Sequence, residues 1–251
     1  MQVEDFGVSH YVGPVKARDR TWLAALLLSF VAGSSFGAEF SGKFYEKGSN
    51  RKKLLFTNTS RVTDDGPHRV QRVTFTDPEG NDLVVEETHW ENGGLKKAGI
   101  VQHQTGESGW VDVGKDKLVF HYTKGGKTKT AEEPRTANFI VSGDLSDYVR
   151  DHWATIQKGD ALEVRFAVLD RLETIGFKFT KERDVKINGR DYVVVAFAPT
   201  SFFIRLVAKP VSITFNPDGV GVIALDGRTS PKLKKDGQWH DVDADSVFSA
   251  P

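Results

Sequence analysis

The sequence predicts a mainly β protein: an antiparallel meander curved into a half-barrel or barrel-like sheet. One amphipathic helix, from about Asp144 to Lys158, is expected to pack on or plug its concave face. Three observations carry this. Turn residues recur at hairpin spacing, as Asp65-Gly66-Pro67, Pro78-Glu79-Gly80-Asn81, Asn92-Gly93-Gly94, Gly106-Glu107-Ser108-Gly109, Lys124-Gly125-Gly126, Asn188-Gly189, Asn216-Pro217-Asp218-Gly219 and Asp236-Gly237. Gly and Asn accept the positive φ that tight hairpins need. Between them lie β-branched and aromatic runs of strand length. Only one long stretch has helical periodicity, and evenly spaced strands without alternating helices mark a meander.

Strands are expected over 54–59, 69–76, 83–90, 117–123, 162–168, 176–180, 192–198 and 211–215. In 69–76, Val73 and Phe75 share one face while Arg72, Thr74 and Thr76 share the other. In 162–168, Val164, Phe166 and Val168 oppose Glu163 and Arg165. Each such strand turns one face to a core and one to water. The helix has cap residues in Ser142 or Asp144 and a stop at Gly159. Leu145, Tyr148, Val149, His152, Trp153 and Ile156 form its apolar stripe. The apolar segment 200–208 fits a buried helix or strand equally. There is no repeat beyond the hairpins, no low-complexity linker and no charge block, so 38–251 reads as a single β-rich domain.

Residues 1–37 read as an address. Lys16, Arg18 and Arg20 precede an apolar run of 11 residues from Trp22 to Ala32, and small residues follow in Gly33-Ser34-Ser35-Phe36-Gly37-Ala38. That is the layout of a secretory signal peptide, too short to span a bilayer. Ser35 and Gly37 suit the small positions before a cut after Gly37. The stretch ahead of Lys16 is an upstream extension, consistent with a start codon nearer Val12 or Val15. The expectation is a periplasmic or secreted bacterial protein, released from the membrane once cleaved.

Composition excludes several functions. With no Cys among 251 residues, there is no disulfide framework, thiolate metal site, cysteine nucleophile or lipid-modified cysteine. Lys and Arg total 34 against 34 Asp and Glu. Removing Lys16, Arg18, Arg20, Glu4, Asp5 and Asp19 leaves 31 of each, so strong nucleic-acid binding is not expected. There is no Gly-x-Ser-x-Gly elbow, Ser-x-x-Lys, phosphate loop or His-Glu-x-x-His.

The run Phe139-Ile140-Val141-Ser142-Gly143 through Arg150-Asp151-His152-Trp153, then Gly159-Asp160-Ala161-Leu162-Glu163-Val164-Arg165-Phe166, resembles a group of uncharacterised exported proteobacterial-type proteins. Pro199-Thr200-Ser201-Phe202-Phe203-Ile204-Arg205-Leu206 and Val211-Ser212-Ile213-Thr214-Phe215-Asn216-Pro217-Asp218-Gly219 match the same group. The resemblance implies a compartment and no activity. More remotely, the layout is similar to periplasmic half-barrel proteins of the lipoprotein-carrier type, where helix closes a curved sheet.

The expected role is non-catalytic: binding or carrying a lipid or other hydrophobic envelope ligand, or contacting an envelope protein. The candidate pocket is the sheet's concavity, bordered by Tyr148, His152 and Trp153 and lined by Phe166, Phe177, Phe179, Phe197 and Phe202. Phe203 and Phe215 add to the apolar surface. An apolar cavity with few polar groups suits such a ligand, whereas the bland alternative is that these aromatics fill the core. No cofactor is expected. His89, His103 and His121 fall on successive strands and are weak metal candidates. An envelope hydrolase would need a carboxylate pair from Asp82, Glu86, Glu87, Asp112 and Asp116, but adjacent Glu86 and Glu87 point to opposite faces. A structural or protein-interaction module is the third alternative.

Overall fold

The computed structural model describes residues 39–205 and 209–249. The signal-peptide expectation and the cut after Gly37 therefore lie outside the described residues. The chain folds as one curved sheet of 15 strands.

The first eight strands form a meander: β1 (Glu39–Glu46), β2 (Leu54–Asp64), β3 (His68–Thr76), β4 (Asp82–Glu91), β5 (Gly94–Gln102), β6 (Glu107–Val113), β7 (Lys117–Lys124) and β8 (Lys127–Pro134). A two-residue strand β9 (Phe139–Ile140) leads into helices α1 (Leu145–Asp151) and α2 (Trp153–Gln157). The second meander is β10 (Leu162–Val168), β11 (Glu173–Ile187), β12 (Arg190–Pro199), the short helix α3 (Phe202–Arg205), β13 (Val211–Phe215), β14 (Val222–Lys235) and β15 (Gln238–Ser249).

The sheet order is β8-β7-β6-β5-β4-β3-β2-β1-β15-β14-β13-β12-β11-β10-β9. All pairings are antiparallel except β9 with β10. The two meanders are thus two lobes, joined where β1 pairs with β15 (Ser41↔Ser249 to Glu46↔Ala244). Gly42 sits at this seam because a Cβ there would meet the Phe248 ring. Phe248 in turn packs against the cores of both lobes.

Each lobe has its own core. The C-terminal one stacks alternate residues of β10–β13, among them Val164, Phe166, Phe177, Phe179, Val195, Phe197, Ile213 and Phe215, under Leu145, Val149 and Ile156 of the helices. The N-terminal core holds Phe44, Phe56, Phe75, Leu118 and Phe120 from the first meander, with Phe139, Val141, Ala167 and Leu169 entering from the second. Strands β9 and β10 therefore lie between two cores, and the water-facing side expected for β10 is in part buried: Ala167 joins the opposite core from Phe166.

Two devices close the N-terminal lobe. A 3-10 turn at Leu169–Arg171 brings Leu169 against Gly109 of β6, and the Thr174 amide donates to Glu133 Oε1 of β8 at 3.1 Å. Across the lobe, β14 bulges: Arg228 pairs with Asp243 and Lys232 with Asp241, so Thr229, Ser230 and Pro231 oppose Val242 alone. Pro231 is tolerated there because a bulge needs no ladder donor. The extruded residues reach β4 and the end of β5. Ser230 Oγ donates to Glu86, and Gln102 Nε2 donates to the Ser230 carbonyl at 2.8 Å.

The single helix expected from Asp144 to Lys158 is broken at His152 (φ −113, ψ 16). The His152 ring stacks on Tyr148 at 4.4 Å, and its Nδ1 lies 2.9 Å from the Tyr148 carbonyl oxygen. A side chain competing for a helix carbonyl weakens the helical ladder there.

Candidate functional site

Most of the aromatics expected to line a pocket beneath the helices are packed into the C-terminal core. Phe166, Phe177, Phe179 and Phe197 are at most 1% exposed. Phe177 stacks on Phe197 at 4.6 Å, and Phe166 meets Phe197 edge-on at 5.6 Å. Tyr148 and Trp153 pack at the margin of this core. Trp153 donates from Nε1 to the Pro217 carbonyl at 2.9 Å and lies so close over Gly219 (φ +76) that a Cβ there would clash. It latches the β13–β14 turn. Phe202 does not join the lining: it lies on α3 and is 62% exposed. The short helix α3 turns Ile204, not Phe202, toward the core.

The sequence missed a second place. Outward-facing side chains of β3–β6 line an open groove of about 360 Å3. The strand registers explain it. Arg61, Arg72, Glu87, Gly99, Trp110, His121 and Thr130 form one cross-strand row. Gly99 is the gap in that row, between Glu87 and Trp110. Beside it on β4 and β5 lie the paired residues Val85 and Val101 on one flank, His89 and Lys97 on the other. The floor is thus backbone and valine, and the walls are long polar or aromatic side chains.

Those walls are held in place. Glu87 pairs with Arg72, and its other oxygen lies 3.4 Å from His89 Nε2. Trp110 stacks on His121 (4.5 Å, 11° between planes) and donates to Asp112 Oδ2 at 3.0 Å. Lys97 Nζ sits 5.0 Å from the centre of the Trp110 ring, a cation–π contact, and has no ion-pair partner among the described residues. His103 lines the far end. An isolated Gly inside a strand pattern, in Ala98-Gly99-Ile100, was the signal that would have pointed here.

The three histidines do not fall on successive strands, since His89 is on β4, His103 is in the turn after β5 and His121 is on β7, so register does not bring them to one point. His121 Nε2 is 3.3 Å from Asp112 and Nδ1 is 3.3 Å from Thr130 Oγ1, while His89 is at Glu87. Among the described residues no three His, Asp or Glu side chains are grouped as metal ligands. Glu86 and Glu87 do point to opposite faces, the first buried in the N-terminal lobe and the second on the groove wall.

The carboxyls with the most displaced titration are Asp144, expected only as a helix cap, and Asp170, which the sequence did not single out. Burial pushes Asp144 up to about 6, against the opposing pull of hydrogen bonds from Trp90 Nε1 and the Val141 amide. Burial also pushes Asp170 up to about 6, partly offset by the charge of Lys232. Asp170 Oδ1 is buried without a hydrogen-bond partner. Glu107, by contrast, is held below its ordinary value by Lys124 and Tyr122, which outweigh its burial.

No helix of the described residues is long and apolar enough to cross a membrane. No protein-family model matches the chain, and no curated protein matches it. Among solved structures it is similar to a beta-barrel-like protein of domain of unknown function DUF1849 from Brucella abortus, with a TM-score of 0.44 and 7% identity over 86% of this chain and 96% of that one. It is also similar to a domain provisionally described as outer membrane lipoprotein-sorting from Vibrio parahaemolyticus, with a TM-score of 0.23 and 10% identity over 85% of this chain and 81% of that one.

Proposed function

We propose that this is an exported, non-catalytic binding protein that takes a small amphipathic anion in the outer groove of β3–β6. The carrying observation is the gap at Gly99. It leaves a valine-floored slot whose rims place the cations of Arg72 and Lys97, with His89 and His103, above apolar surface. An apolar body would lie on Val85 and Val101, and an acidic head would meet Lys97, whose ammonium sits over the Trp110 ring and holds no ion pair among the described residues. The signal-peptide layout from Lys16 to Ala38 supports export, and Ala38 as the first residue of the exported protein would establish it.

The binding test is titration of the protein with laurate and with dodecyltrimethylammonium, followed by tryptophan emission. Laurate should give saturable quenching and the cation none. Lys97→Glu should weaken laurate about tenfold by reversing the charge at the head position. Equal response to both detergents, or an unchanged Lys97→Glu, overturns the reading.

Carriage beneath the helices is a second reading, favoured by the break at His152, which divides the cover over the aromatic core into two pieces. Access there requires Trp153 to leave the Pro217 carbonyl. Trp153→Ala should then raise uptake of an apolar fluorophore such as N-phenylnaphthylamine severalfold, and unchanged uptake overturns it.

A further inference from the structure

The two most exposed large apolar side chains among the described residues are neighbours on α3. Phe202 is 62% and Phe203 80% exposed, with ring centres 5.9 Å apart, edge to face. Single exposed apolar residues are ordinary, but an adjacent pair of aromatics on a projecting turn is not. The turn is fastened rather than loose. The Thr200 amide donates to the Gly176 carbonyl at 2.9 Å, the Arg205 amide donates to the Ser201 carbonyl at 3.1 Å, and Ile204 packs against the core. The scaffold therefore spends Ile204 on anchoring and holds both phenylalanines in water.

The charges flanking the pair along the chain are of one sign. Arg205 and Lys209 are exposed, and residues 192–217 contain no Asp or Glu. An apolar wedge beside cations, in a stretch free of acid, is the chemistry of contact with an anionic lipid surface: the rings enter the boundary between headgroups and chains while Arg and Lys meet phosphate. We propose that the α3 turn docks this protein on bilayers bearing anionic phospholipid, independently of whatever the outer groove holds.

The test is sedimentation of the purified protein with vesicles of phosphatidylcholine alone and of phosphatidylcholine mixed with phosphatidylglycerol. The mixed vesicles should carry it down, and the neutral ones much less. Phe202→Ser with Phe203→Ser should lower the partition constant about tenfold or more. Arg205→Glu with Lys209→Glu should remove the preference for phosphatidylglycerol, at about fivefold per cation. Since both rings are exposed, the serine variant should keep the wild-type thermal midpoint. A Phe203→Trp variant should be quenched by lipids brominated on their acyl chains. Three results each overturn the proposal: no sedimentation of the wild type, equal sedimentation of the serine variant, or no quenching of Phe203→Trp. A wild-type dimer that the serine variant loses also overturns it, and assigns the turn to a second copy of the chain.

Discussion

Ser230 and Glu86 are 144 positions apart and share a hydrogen bond of 2.5 Å across the N-terminal lobe, with Ser230 donating. Both are buried, at 2% and 3% exposure. The contact exists because the bulge in β14 pushes Ser230 out of its own ladder and against β4.

Removing that donor should destabilise the whole domain. Ser230→Ala leaves Glu86 short of a buried partner and should cost about 1–3 kcal/mol. Urea unfolding followed by circular dichroism measures it, and Ser230→Thr, which keeps the hydroxyl, should recover part of the loss.

Stability should peak in mild acid. Asp144 and Asp170 have folded values near 6, above an unfolded value near 3.8. The folded state thus holds more protons than the unfolded state between those values, and stability falls as pH rises through that window, by roughly 3 kcal/mol per group at most. Glu107 acts in the opposite sense: its lowered value adds stability that is lost as pH falls through the acid range. The two aspartates together outweigh Glu107, so urea midpoints should fall as pH rises from about 4 to about 6. Asp170→Asn, which relieves a buried carboxylate, should raise the midpoint at pH 7 and flatten the limb between about pH 4 and 6.

Gly219 is required for two independent reasons. Its φ of +76 disfavours any side chain, and a Cβ would sit 2.4 Å from the Trp153 ring. Gly219→Ala should cost about 1–3 kcal/mol. Thermal melts read the loss, and a red shift in tryptophan emission reports Trp153 leaving its place.

Phe197 is the hub of the C-terminal core, in ring contact with Phe166, Phe177 and Phe179. Phe197→Ala should cost about 3–5 kcal/mol, while Phe202→Ala, on an exposed ring, should change stability by less than about 0.5 kcal/mol. Paired denaturation curves of the two variants measure the contrast.

That contrast also explains what could be read in advance. Strands with period-two apolar patterns, such as Leu162–Val168 and Val211–Phe215, were legible to the residue, the second because it buries one clean face and the first because Val164, Phe166 and Val168 still alternate. The strands left out, such as Lys127–Pro134 and Gly94–Gln102, carry Lys, Thr, Glu, Gln and Gly at most positions. Their strand state comes from pairing with neighbours, which local pattern does not contain. Among the site residues, the burial of Phe166, Phe177, Phe179 and Phe197 followed from alternation. Phe202 misled because an apolar run was read as buried, and sequence alone does not say which of Phe202 or Ile204 the turn directs inward. The groove was invisible for another reason: Arg72, Glu87, Gly99 and Trp110 come from four strands, and only register aligns them.

The pairing of β1 with β15 sets the order in which the molecule can be completed. Each lobe is a run of neighbouring hairpins, but the seam joins the first and last of the described strands. Until Ala244 to Ser249 is made, the edge of β1 from Glu46 to Ser41 stays open on that side, although Ala167 and Leu169 can already enter the N-terminal core. The chain's midpoint, by contrast, is the rim of the sheet, where Arg135, Thr136 and Ala137 are exposed. A protease cut there would leave two fragments still zipped together along the seam.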